Sequence, residues 1–133
     1  MEFTKSTRLK DILNLPCFRQ MNGQFIASST GDWFQGKEEL SLAELQQQNP
    51  TWYWEDVAYG LTRLREIALG GGRYVYPVGE GACLIHLPAK NRRYEDYAIL
   101  NAGGAYGAVC TMVEALPTAA KLNELGMDCF CLN

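Results

Sequence analysis

The sequence predicts an α/β chain, with an antiparallel hairpin and one parallel βαβ unit preceded by a helical N-terminal segment. Three observations carry this. The apolar run Tyr97-Ala98-Ile99-Leu100 is followed by Asn101-Ala102-Gly103-Gly104-Ala105-Tyr106, a helix-like stretch and a second apolar run over residues 127–132. Strand, glycine turn, helix, strand is a βαβ unit, since parallel strands need a crossover and that crossover is right-handed almost without exception. Before it, the β-rich runs 73–77 and 82–87 are joined by Val78-Gly79-Glu80-Gly81, the pattern of a hairpin. Earlier still, Trp54, Val57, Ala58, Leu61, Leu64 and Ala68 keep a helical period.

Taken in order, Leu9, Ile12 and Leu13 predict a short amphipathic helix that Pro16 should end. Residues 17–37 show no sustained period and read as an irregular surface segment. Ser41-Leu42-Ala43-Glu44 is a capping box opening a helix that Asn49-Pro50 should stop. The long helix opens at Thr51 or Glu55 and is stopped by Gly70-Gly71-Gly72, which precedes a strand and so is no phosphate loop. Residues 88–95 form a charged surface connection. The run Tyr97–Leu100 is apolar at every position, as a strand covered on both faces would be. Pro117 fits the first position of the crossover helix, leaving 111–115 as a separate short element. Ala119, Leu122 and Leu125 should then face the sheet, with Gly126 as the C-terminal cap. Residues 1–72 are thus expected to pack as a helical segment on the sheet built from residues 73–133, in one structural unit.

At 133 residues the chain is long enough to bury about two thirds of the surface its unfolded form exposes. A net charge of −3 with interspersed signs offers no basic face for nucleic acid. Residues 1–6 carry no apolar signal region and no run reaches membrane-spanning length. The five cysteines lack framework spacing, so they read as reduced thiols and the expected compartment is the cytoplasm. No cofactor is expected. Cys129 and Cys131 have no second ligand pair, which leaves zinc without a site and makes them small buried hydrophobes. His86, in mid-strand, reads as structural, and Trp52, Tyr53 and Trp54 as an anchor of the long helix to the core.

Residues 99–106, 112–117, 121–126 and 129–133 together resemble the α/β-hydrolase fold, within it the esterase/lipase group with an HGGG- or PGGG-type loop. The N-terminal half more loosely resembles bacterial esterase-like proteins with a leading helix ending near a proline. The resemblance implies that residues 73–133 are the first four strands and crossover helix of such a domain. It also implies that the loop after the third strand supplies oxyanion-hole N–H groups. The motif's histidine or proline then falls on Ala102, its glycines on Gly103, Gly104 and Ala105, and its aromatic on Tyr106. The donors would be the N–H groups of Gly104 and Ala105. Small residues suit that task, because an oxyanion must come within ~3 Å of the backbone nitrogens. Glu114 either caps the loop or lines the site together with Tyr106.

The Gly-x-Ser-x-Gly elbow and the Asp and His of the triad are absent, and Ser6, Ser28, Ser29 and Ser41 precede the first strand. The resemblance therefore implies the N-terminal portion of a serine ester hydrolase, inactive alone, its ester substrate bound only once the rest of the domain is supplied. A stand-alone α/β binding or interaction module without catalysis is the alternative. In the family's strand order the fourth strand lies inside and the third pairs with a fifth. Tyr97–Leu100 would then be an open edge, inviting homo-oligomers or complementation.

Overall fold

The computed structural model describes residues 2–19, 21, 36–103 and 109–133. Four strands form a mixed sheet: β1 (Val75–Gly79), β2 (Ala82–Leu87), β3 (Tyr97–Asn101) and β4 (Asp128–Leu132), in the order β1-β2-β4-β3. β1 and β2 pair as the antiparallel hairpin, β2 and β4 are antiparallel, and β3 and β4 are parallel, with Ala98 opposite Cys129 and Leu100 opposite Cys131. The chain is thus of the α/β class, with a helical N-terminal segment ahead of the sheet.

That segment holds α1 (Leu9–Leu13), α2 (Pro16–Arg19), α3 (Leu42–Gln48) and α4 (Trp54–Leu69). Pro16 starts a second short helix as well as closing off the first. A proline is favoured at a first helical position, where its missing N–H would have had no partner. The rest of the expected irregular segment, Gln20 and residues 22–35, lies outside the described residues. The capping box of α3 is complete in both directions: Ser41 Oγ accepts from the Glu44 N–H, and Glu44 Oε2 accepts from the Ser41 N–H at 2.8 Å. α4 begins at Trp54, whose N–H donates to Gln46 Oε1 at 2.9 Å, so α3 holds the start of α4. Trp52 and Trp54 lie half-buried against the core, the anchoring role expected of them, while Tyr53 is exposed.

Residues 111–115 form a separate π-helical turn, and α5 (Leu116–Leu125) follows with Pro117 in its first turn. The buried positions of α5 are Pro117 in its first turn and Leu116, Ala119, Ala120 and Asn123, the i, i+3, i+4, i+7 stripe. Leu125 does not line the sheet: nine residues beyond Leu116 is half a turn out of phase, and it is 60% exposed. Gly126 ends the helix at φ +95°, and a β-carbon there would stand 2.7 Å from the Asn91 carbonyl oxygen.

A single core joins both segments. Leu9, Ile12, Leu42, Leu61 and Leu64 from the helices meet Ile85, Leu87, Cys129 and Cys131 from one face of the sheet. The opposite face carries no helix among the described residues. β3 is therefore not covered on both sides as its composition suggested: Tyr97 and Ile99 point out and are 60% and 57% exposed, while Ala98 and Leu100 pack on the core. The difference arises because α4, the π-turn and α5 all pack on the same side.

Asn123 ties these layers. Its buried amide donates to the carbonyls of Leu87 and Met127 at 2.9 Å each and accepts from Arg63 Nε at 3.1 Å. One side chain of α5 so joins α4, the end of β2 and the lead into β4. At Gly60, α4 meets α5 so closely that a β-carbon would lie 2.9 Å from Pro117 N and 3.0 Å from the Leu116 carbonyl carbon. Helix propensity alone favours alanine there by about 1 kcal/mol. Backbone atoms cannot rotate away, however, and overpacking of this kind costs about 1–3 kcal/mol. Gly60→Ala is expected to lower unfolding stability by a net of up to ~2 kcal/mol in urea titrations. Gly72→Ala, where a β-carbon meets nothing, should stay within about 0.5 kcal/mol of the parent.

Candidate functional site

Ala102 and Gly103 lie directly beyond the C-terminal end of β3, the end of a parallel strand at which α/β sheets hold ligands. Both backbone polar groups of Gly103 are engaged. Its N–H donates to Glu114 Oε2 at 2.7 Å, and its carbonyl accepts from the Cys110 N–H at 3.1 Å. The Cys110 carbonyl in turn accepts from the N–H groups of Val113 and Glu114 at 3.2 and 3.0 Å, which starts the π-turn. Gly103 and Cys110 are thus bonded to each other, with a carboxylate from the π-turn holding the Gly103 N–H. Glycine at 103 has a local reason, since a β-carbon would come within 2.9 Å of Glu114 Oε2 and push the carboxylate aside.

Of the residues expected in the oxyanion loop, Gly104, Ala105 and Tyr106 lie outside the described residues. Gly103 has its N–H committed to Glu114, so that group is not a free donor. Glu114 caps the loop and also lines a depression of about 400 Å³ with Thr51, Tyr53, Asp56 and Pro117. A separate groove of about 310 Å³ runs over the C-terminal ends of β3 and β4, lined by Glu80, Asn101, Ala102, Val109, Leu132 and Asn133. Two small grooves therefore lie near Gly103, one lined by Glu114 and the other by Ala102.

A third cavity, of about 370 Å³, brings together residues with no signal in the sequence, because they come from distant stretches of the chain: Tyr59, Arg63, Glu66, Lys90, Asn123 and Glu124. Its charges are already matched. Arg63 donates to the Pro88 carbonyl at 2.6 Å and pairs with Glu66 at 3.2 Å, and Lys90 reaches the same carboxylate at 2.9 Å. Burial, with Glu124 adding to it, pushes the Tyr59 hydroxyl up to about 12, so it stays protonated. This is a staple between α4, α5 and the β2–β3 connection.

His86 stacks on Phe130 at 4.5 Å with the rings 10° from parallel, on the helix-free face of the sheet. Burial lowers its pKa, with Asp128 opposing, so the ring is held neutral and lies on the outward side of β2, away from the glycine turn. Burial likewise raises the Cys129 thiol to about 11 and the Cys131 thiol to about 12, which makes both poor nucleophiles. Among the described residues no group of three or more His, Cys, Asp or Glu could hold a metal ion. No helix among them is long and apolar enough to cross a membrane.

No protein-family model matches the chain, nor does any curated protein or solved structure.

Glu114→Ala removes the one side-chain acceptor of the Gly103 N–H. Amide exchange followed by NMR should then show Gly103 exchanging about tenfold faster or more, the effect of losing a hydrogen bond to a charged group. Glu114→Gln, which keeps an acceptor, should fall between the two.

Proposed function

We propose that this chain is the N-terminal portion of a serine ester hydrolase of the esterase/lipase-like α/β-hydrolase group, contributing the oxyanion loop and one wall of the site. The observation that carries the proposal is the placement of Ala102-Gly103 at the end of a parallel strand, in a sheet ordered β1-β2-β4-β3. β4 lies inside and β3 at the edge, the arrangement the family resemblance implies.

The chemistry follows from that placement. Attack on an ester carbonyl builds negative charge on its oxygen, and fixed N–H groups lower the barrier most when they already point where that charge forms. Gly103, locked by Glu114 and Cys110, sets the direction in which the chain leaves β3. The donors fall to Gly104 and Ala105, with Tyr106 beside them. The groove over Ala102, Val109 and Leu132, which Glu80, Asn101 and Asn133 also line, has an apolar side that suits a small acyl group next to the carbonyl.

Acyl transfer also needs a nucleophile and a base. Of the serines, Ser41 is spent on capping α3, its Oγ donating to Glu44 Oε2 at 2.7 Å. Under this proposal the nucleophile and base come from outside residues 1–133, on polypeptide that completes the sheet beside β3.

Two measurements test this. The chain should hydrolyse p-nitrophenyl acetate no faster than buffer, and turnover abolished by replacing a single serine would contradict it. Reading the coding sequence beyond the Asn133 codon should reveal a Gly-x-Ser-x-Gly within about a hundred codons. A downstream sequence without that elbow would contradict the hydrolase assignment and favour a binding module.

A further inference from the structure

The cavity between α4 and α5 encloses space that the bonds stapling it do not fill. On α4, Tyr59, Arg63 and Glu66 stand at i, i+4 and i+7 and so share one face. Asn123 and Glu124 of α5 line the other side, and Lys90 reaches in from the β2–β3 connection. The open volume of about 370 Å³ falls at the lower end of the range for small-molecule sites.

Its charges cancel in sum but not place by place. Arg63 and Lys90 share the single carboxylate of Glu66, at 3.2 and 2.9 Å, which leaves that cluster with a positive charge in excess. Glu124 pairs with no cation among the described residues. It lies beside the Tyr59 hydroxyl, whose pKa it helps to raise, while Lys121 sits over the Tyr59 ring, 4.3 Å from its centroid. One lobe of the cavity therefore favours an anion and the other a cation. The anionic lobe is also pre-formed. The Arg63 side chain is only 12% exposed, and its guanidinium is fixed by Asn123 Oδ1 at 3.1 Å and the Pro88 carbonyl at 2.6 Å. With Glu66 on Nη1, one donor on each terminal nitrogen still has no protein partner among the described residues. A guanidinium fork held in this way loses little freedom on taking a carboxylate.

We propose that this cavity binds a small zwitterion, a free amino acid, with its carboxylate bridging Arg63 and Lys90 and its ammonium on Glu124. An anion alone would leave Glu124 unpaired beside it, and a cation alone would face the excess charge of Arg63 and Lys90. One skeleton carrying both charges satisfies the two lobes at once, and Ala120 with the Tyr59 ring offers an apolar wall for its methylenes. Contact with a guanidinium this deeply set is charge-assisted and shielded from water, which makes it stronger than an exposed ion pair. None of the residues assigned to the oxyanion loop lines this cavity, so the inference stands whether or not the ester chemistry does.

The test titrates the full, isotope-labelled chain at low salt with glycine, β-alanine and 4-aminobutyrate, and with acetate and propylamine as carriers of a single charge. At least one of the zwitterions should saturate below about 10 mM, shifting the Arg63 Nε–H, the Asn123 side-chain amide and the Tyr59 ring while the Gly103 amide and Ile99 methyl stay unmoved. Acetate and propylamine should each bind at least about tenfold more weakly than that zwitterion. Glu124→Gln and Lys90→Gln, both at exposed positions, should each weaken it about fivefold or more, the effect of losing a hydrogen bond to a charged group. Lys90→Gln should weaken acetate as well, whereas Glu124→Gln should not. Both variants should keep the parent spectrum away from the cavity, which separates lost binding from lost fold. No saturable shift from any zwitterion at about 50 mM, or shifts confined to other surfaces, would overturn the proposal. So would acetate binding as tightly as the best zwitterion, or an affinity unaltered by Glu124→Gln, and the cluster would then be a staple alone.

Discussion

The structure depends on one constraint: β3 and β4 run parallel and adjacent, so the chain between them must travel back the length of the sheet. α5 makes that return, and almost every other feature serves to hold it. Gly60 lets α4 approach the Leu116–Pro117 backbone to a distance that a β-carbon would prevent. Asn123 satisfies its buried amide by bridging to β2 and to the residue before β4. Gly126 turns the chain from helix to strand in a left-handed conformation beside the Asn91 carbonyl. Were the return path looser, β4 would lose its place between β2 and β3, and the inward sheet face would lose its cover.

The same return determines what the glycine turn can do. A chain leaving β3 must bend at once, and Gly103 is held at that bend by a carboxylate that itself sits on the π-turn opening the crossover. The clamp and the crossover are thus one assembly. Glu114, in the π-turn, reaches back across eleven positions to the Gly103 N–H. The price is that one N–H of the glycine pair is consumed, which leaves any stabilisation of developing negative charge to the next residues along.

Much of this was legible in the residues. The Ser41–Glu44 box, the Gly70–Gly72 stop, the hairpin and the βαβ unit each rest on short-range chemistry that a sequence states directly, and each is present. What the residues did not reveal is which side of the sheet the helices would choose. Tyr97-Ala98-Ile99-Leu100 is apolar at every position, and composition alone cannot separate a strand covered twice from one covered once beside an unfilled face. Leu125 was misplaced because a leucine spaced three from Leu122 looks like core until the phase of the helix is known from Leu116. The Arg63–Asn123 contact left no trace, since at a separation of sixty positions no periodicity could link them. At the candidate site, the glycine turn was visible as a motif, whereas only geometry shows Glu114 bonded to the Gly103 N–H while it also lines a depression.

The central claim is that β3 is a parallel edge strand with one free side, next to a β4 bonded on both. Amide hydrogen exchange along residues 97–101 and 128–132, measured by NMR on dilute chain, tests it most directly. Protection should be continuous along β4 and should alternate along β3, with every second amide exchanging almost as fast as in an unstructured peptide. Protection of β3 as deep and unbroken as that of β4, or its absence from both strands, would contradict the account.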